Sequence, residues 1–184
     1  MILGINALNH DASIALVDYD IVKFASHAER YSRVKNDCDL NQELLDDAMR
    51  QTDGEPSEIV WFEKPMLKSL RKLYSGQRPY FQNIPAYLKK FNLGHLPITY
   101  VPHHAAHAAM GFYTSQFDDA AVIVIDAIGE WDTTTIWDAS YARGLKKIGG
   151  TRYPHSMGLF YTAATQAIGL KPNEEEYILM GMAA

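Results

Sequence analysis

His103 and His107 stand four residues apart in the run HHAAHAA. On a helix that spacing puts both imidazoles on one face, with Cβ atoms about 6 Å apart, close enough to share one cation. The neighbouring Ala105, Ala106, Ala108 and Ala109 are small and let such a helix lie close against a sheet. Asp126 closes the apolar run 120–125, which reads as a strand suited to burial on both faces. A carboxylate in that position needs a cation or several hydrogen-bond donors. Two imidazoles and one carboxylate suit iron, zinc, manganese or nickel better than magnesium or calcium. The competing reading is a histidine pair on a surface helix with no metal, and the strand-end aspartate weighs against it. A zincin-type protease is excluded, because position 104, where the general-base glutamate would stand, is a histidine.

Three other groups have the types for chemistry. His10 and Asp11 lie in the turn-forming cluster Asn9-His10-Asp11, where a histidine can act as acid, base or phosphate donor, or simply complete a turn. Arg30, Arg33 and Lys35 can hold an anion by charge-assisted hydrogen bonds, or form a solvated face. The turn Asp126-Ala127-Ile128-Gly129-Glu130 can bring backbone amides to a phosphate, with Thr133, Thr134 and Thr135 alongside, although a glycine turn alone is a weak signal.

These residues need elements to position them. Residues 1–8, 12–18 and 21–25 read as three strands of an antiparallel meander, which puts His10 and Asp11 at a hairpin tip. The segment 29–35 reads as irregular, 41–51 as an amphipathic helix and 58–62 as the next strand. Between 63 and 96 the chain turns basic and aromatic, which predicts an exposed helical insert in preference to a nucleic-acid stacking surface. A short strand at 98–101 leads into a helix over 103–116. The run 120–125 and a threonine-rich strand at 131–138 form a second hairpin, which 145–148 can extend. Helices around 156–168 and 174–183 follow.

Bulk properties narrow the classes further. The 184 residues suffice for one domain or one lobe, and 47% hydrophobic with 21% charged residues is an ordinary globular balance. A net charge of -5 argues against a nucleic-acid grip built on bulk electrostatics. A single cysteine, Cys38, permits no internal disulfide. The apolar N-terminus lacks a basic n-region, and no stretch approaches the roughly 20 apolar residues of a membrane span, so the expectation is a cytoplasmic protein with no membrane partner.

Six ordered segments, LGINALNHDASIALV, ERYSRVKND, HHAAHAA, VIVIDAIGEWDTTTIW, YPHSMGLFYTAATQAIGL and EEEYILMGMAA, together resemble the O-carbamoyltransferases that decorate nodulation factors, cephalosporins and aminoglycosides. The similarity spans nearly the whole chain outside 63–96. It implies an α/β fold of the actin, sugar-kinase and Hsp70 type (ribonuclease H-like), with a mixed sheet, an N-terminal β-meander and flanking helices. It implies small-molecule substrates, ATP and carbamoyl phosphate, which yield a carbamoyl-adenylate whose carbamoyl group passes to a sugar-like hydroxyl. In that family a divalent metal lies between two histidines, matched by His103 and His107, and two aspartates, the first matched by Asp126. Ferrous iron is favoured, with zinc and manganese as alternatives. His10 and Lys35 match substrate-handling positions, and Asp11, Arg30, Gly129 and Glu130 are assigned beside them to substrate and nucleotide.

Two departures stand out: Ala127 where the family often has glycine, and Ala28 where it often has a second glutamate. The chain also stops within a motif that the family continues. The expectation is therefore an incomplete N-terminal lobe over 1–184 with a helical insert at 63–96, completed by a second chain or a C-terminal half, and with homodimerisation open. Two rival readings remain: a non-catalytic metal- or nucleotide-binding module that regulates or completes a partner, and a subunit of threonylcarbamoyl transfer to tRNA. The negative charge weighs against the second.

Overall fold

The computed structural model describes residues 1–52 and 54–184, and its chain divides into two compact units. The first comprises Met1–Met66 and Tyr80–Val101. Its five-stranded mixed sheet starts with three strands, β1 (Ile2–Asn6), β2 (Ser13–Asp18) and β3 (Ile21–His27). They pair antiparallel as the meander predicts, with Leu3 opposite Leu16 and Ile14 opposite Ser26. β4 (Glu58–Trp61) and β5 (Ile98–Tyr100) then add in parallel on the other side of β1, giving the order β3-β2-β1-β4-β5. Parallel pairing needs a crossover between strands. The crossover from β3 to β4 carries a short helix α1 (Glu29–Ser32) and α2 (Gln42–Arg50).

The segment 29–35 is not wholly irregular: α1 is one turn, ended by Arg33 in the left-handed conformation. α2 begins where Asn41 Oδ1 accepts the Leu44 N–H, and its Leu44, Leu45 and Ala48 are buried with Leu3, Ile5, Leu16, Ile59 and Trp61 in one core. Within the basic, aromatic stretch the chain forms α3 (Pro65–Tyr74) and α4 (Ile84–Lys89), the second capped by Asn83 and contributing Ile84, Tyr87 and Leu88 to that core.

The second unit comprises Leu67–Pro79 and Pro102–Ala184. It holds α5 (His103–Tyr113) and a three-stranded antiparallel sheet of β6 (Asp119–Ile125), β7 (Asp132–Ser140) and β8 (Gly144–Arg152). α6 (Met157–Ala167) and α7 (Glu176–Met182) complete it. One face of the sheet packs on α5 through Ala108, Val124 and Trp137, with Ala105, Val122 and Leu145 at the margin. Burial of β6 on both faces is not what the structure shows. Side chains alternate along the strand, and Ile123 and Ile125 are 63% and 64% exposed on the face away from α5. β6 is an edge strand with one helix-covered face, so its uninterrupted apolar run does not mean two-sided burial. No helix among the described residues is long and apolar enough to cross a membrane.

One buried polar contact ties distant parts of the first unit together. The Leu40 N–H donates to Tyr87 Oη at 2.8 Å, and Leu40 and Tyr87 are 5% and 6% exposed. Tyr87→Phe removes the acceptor and leaves a buried amide unsatisfied, a cost of about 1–3 kcal/mol. Urea unfolding should show that loss as a lower midpoint at constant slope; an unchanged midpoint would mean that water replaces the hydroxyl.

Candidate metal centre

The first turn of α5 and the strand end of β6 converge. His103 Nε2 lies 2.8 Å from Asp126 Oδ2 and 3.0 Å from His107 Nε2, while His107 Nε2 is 3.9 Å from the same carboxylate oxygen. The three donor atoms lie within 4.8 Å of one another. Ligands held at 2.0–2.1 Å around a tetrahedral ion are roughly 3.3 Å apart, so the set fits one cation with small adjustments. Two imidazole nitrogens facing each other at 3.0 Å are also better served by a shared cation than by two lone pairs. The donor chemistry therefore fits a first-row transition metal or zinc.

Local structure aims these groups. Asp126 Oδ1 accepts the Ala127 N–H at 2.7 Å, which turns Oδ2 toward the histidines. The His103 and His107 rings meet nearly edge to face, 4.6 Å between centroids at 74°, as their spacing on one helix face allows. Asp126 is only part-buried, with 30% of its side chain exposed, and His107 is exposed at 46%. The site is thus open on the His107 side and closed around His103, whose side chain is 13% exposed.

His104 does not join the other two. One step along a helix rotates a side chain by about 100°, and its ring is buried, with Nδ1 placed 2.9 Å from Thr135 Oγ1. Burial pushes this imidazole below its ordinary pKa, against the attraction of Asp126. Thr135 Oγ1 also accepts from Trp137 Nε1–H at 2.8 Å, so α5 is fastened to β7 through His104.

Residues outside the expected set also shape the site. Ser156, the N-cap of α6, donates from Oγ to the Ala127 carbonyl at 2.6 Å, with the Asp126 carbonyl at 3.3 Å. A Cβ on Gly158 would stand 2.6 Å from the Ala127 backbone, so α6 touches the turn directly and only glycine fits there. A cap signal is legible at Ser156 before an apolar helix; its contact with the aspartate's turn is not. Gly129 and Glu130 lie in that turn, both buried, and Glu130 accepts the backbone N–H of His103 at 3.0 and 3.2 Å.

The other candidates belong to the first unit. His10 is exposed at the β1–β2 tip, with Nδ1 2.7 Å from Asp11 Oδ2. That contact favours the Nδ1–H tautomer and leaves Nε2 as the free lone pair. The tip is held by Leu8 N–H on the Cys38 carbonyl and Ala12 N–H on the Asp37 carbonyl, and Gln82 Nε2–H donates to the Leu8 carbonyl. The structure therefore ties the His10 turn to the far end of the segment that carries Arg30 and Lys35. That segment is fastened in turn by Tyr31 Oη–H on Asp47 at 2.6 Å.

Asp126 is pulled two ways. Burial disfavours its charge, while the His103 hydrogen bond, the positive charge of His103, the Ala127 amide and the charge of His107 favour it, and the net effect lowers its pKa from 3.8 to about 2. A pKa depressed in the folded state gives stability that is fully present above the unfolded value and is lost as pH falls through the folded one. With the discount for partial exposure, this carboxylate contributes about 1–2 kcal/mol at neutral pH, lost between about pH 4 and pH 2. Asp126→Asn should flatten the acid limb of the metal-free protein's stability curve by that amount; an unaltered limb would remove the ion-pair assignment.

The family model described as carbamoyltransferase N-terminus matches residues 71–184. An uncharacterized protein of Synechocystis sp., sll1178, is 33% identical over 210 residues, covering 99% of this chain and 34% of the relative. An uncharacterized protein of Methanocaldococcus jannaschii, MJ1051, is 29% identical over 191 residues, covering 100% of this chain and 33% of the relative. The chain spans about a third of the length of these curated relatives. The matched region contains all three converging residues, and the chain belongs to the carbamoyltransferase N-terminus family.

Proposed function

We propose that this chain serves an O-carbamoyltransferase that uses ATP and carbamoyl phosphate to form a carbamoyl-adenylate and transfers the carbamoyl group to a sugar-like or nucleoside hydroxyl. The observation that carries this reading is the convergence of His103, His107 and Asp126 on one point in a chain of this family. Residues 1–184 are read as an N-terminal lobe of an actin, sugar-kinase and Hsp70-type ATPase domain. The antiparallel meander continued in parallel by β4 and β5 supports that placement. Of the helices in the expected exposed insert at 63–96, α3 keeps that reading, whereas α4 buries Ile84, Tyr87 and Leu88 in the core and is part of the lobe itself.

The two imidazoles and Asp126 would hold a divalent ion, ferrous iron in preference to zinc or manganese. When bound, it would supply positive charge to offset the charge of the phosphates. The chain's own residues do the rest. Asp126 Oδ1 is held by the Ala127 amide, so Oδ2 is the oxygen that would be offered to the ion. Arg30 and Lys35 supply cationic side chains for carbamoyl phosphate, on a segment fixed to the hairpin by the Asp37 and Cys38 carbonyls. His10, oriented by Asp11, presents Nε2 to take the proton that the acceptor hydroxyl gives up as its oxygen bonds to the carbamoyl carbon and AMP departs. Gly129 and Glu130 belong to the turn that carries Asp126, and we assign this turn to the nucleotide side.

Elemental mass spectrometry of the purified protein should find near-stoichiometric metal, absent from a His103→Ala/His107→Ala double variant. A metal-free wild type would remove the central observation's meaning. Activation is read by pyrophosphate release from ATP, and transfer by AMP release on adding a sugar-like or nucleoside acceptor, in a protein of the relatives' full length carrying this chain. Pyrophosphate release should require carbamoyl phosphate, and AMP release should fall at least about 100-fold in His10→Ala, the scale of a lost general base. Release that ignores carbamoyl phosphate would reject the assigned reaction.

A further inference from the structure

We propose that Glu130 is a positioning residue for the metal ligands: its carboxylate caps the helix that carries both histidines and so fixes where their rings point. The inference rests on the metal reading above and adds to it a residue that does not touch the ion. α5 starts without a cap of its own, since its N-cap is Pro102, which makes no side-chain hydrogen bond to the helix. The first amides of a helix lack intrahelical partners, and here the first of them belongs to a ligand. Glu130, 27 residues further on, accepts the His103 N–H with Oε1 at 3.0 Å and Oε2 at 3.2 Å. It does so from a site where it is only 6% exposed, so neither oxygen is a loose surface group.

The geometry gives this bond a consequence beyond capping. Asp126 and Glu130 are the two ends of one five-residue turn, and His103 is gripped at both ends: its ring Nε2 by Asp126 and its backbone N–H by Glu130. Backbone and ring of the same residue are thereby fixed relative to one strand end. Nothing separates turn from helix, because a Cβ on Gly129 would stand 2.9 Å from His104 Cδ2 and 3.2 Å from His103 Cβ. His107 follows on the same helix face, so a rotation of α5 that misplaces one imidazole misplaces both. Fixing the angle of the helix at its first residue is therefore an economical way to hold two ligands. The His104–Thr135 contact secures the other side of the same turn of helix.

Cobalt(II) is the probe, because its visible absorption reports coordination geometry apart from affinity. Wild type, Glu130→Ala and Glu130→Gln are titrated with Co²⁺, with thermal melts alongside. A lost supporting residue weakens metal binding about 10-fold or more, so Glu130→Ala should bind that much more weakly and shift the visible bands. Glu130→Gln, whose amide oxygen still accepts the N–H, should recover most of the affinity and the wild-type bands. An alanine variant that titrates like wild type overturns the inference while the metal reading stands. A glutamine variant as weak as alanine also overturns it, because a charge or a direct ligand is then at work. A wild type that takes up no Co²⁺ overturns the metal reading, and this inference with it. Should the alanine variant not fold, hydrogen exchange of the His103 amide decides: slow exchange in wild type and in Glu130→Gln is expected, and fast exchange in wild type removes the cap.

Discussion

A helix N-terminus and a strand end meet at His103, and much of the second unit is arranged to permit that meeting. The strand end carries a charge that burial opposes, so Asp126 needs donors close by. The helix brings unsatisfied amides and two imidazoles, which are donors or cation ligands. Each side supplies what the other lacks. The approach is possible only because the residues between are small: Ala105 and Ala108 against the sheet, Gly129 against the histidines and Gly158 against the turn. A side chain at Gly158 would have to displace backbone rather than a flexible neighbour. Position 127 bears on this too. The carbonyl of the alanine there is the acceptor for Ser156.

The first unit solves a different problem, which is how to hold an exposed polar hairpin tip still. The tip spans residues 7–12 and includes Leu8 and Asp11 at positive φ, a conformation that costs energy for side chains with a Cβ. Three anchors offset that cost: backbone bonds to residues 37 and 38, Gln82 on the Leu8 carbonyl, and Asn6 Nδ2–H on the Asp11 carbonyl. His10 itself is left exposed, and among the described residues its ring is engaged through Nδ1. The hairpin thus holds the His10 backbone fixed while its ring stays exposed, the conditions that the proposed acid–base role requires.

Much of this was legible in the sequence because the signals are local. The i, i+4 histidine pair, the threonine-rich strand, the meander and the helix over 41–51 each rest on periodicity or on a turn cluster within a few residues. The contacts that complete the candidate site are not local. Glu130 reaches His103 across 27 residues, Ser156 reaches Ala127 across 29, and Gly158 matters only because another backbone passes beside it. No single-sequence period encodes such distances. Arg33 in the left-handed conformation, closing a helix of one turn, was likewise hidden in a segment whose charge density reads as irregular.

β6 shows why composition alone misplaces burial. An alternating strand announces its inner face because the outer face is polar; an all-apolar strand announces nothing, and the reader supplies two-sided burial by default. Here Val122 and Val124 face α5, while Ile123 and Ile125 face away beside Ile136 of β7. The same strand leads into Asp126, so the apolar run and the carboxylate of the candidate site come from one element whose inner face alone is set by packing on the histidine helix. What fixes His103, His107 and Asp126 is that inner face, the turn beyond it and the helix it covers; the outer isoleucines contribute nothing to the geometry of the candidate site. Asp126 is oriented by Ala127 and His103 rather than by the depth of its strand, which is why a part-exposed carboxylate still holds its charge well below the ordinary range.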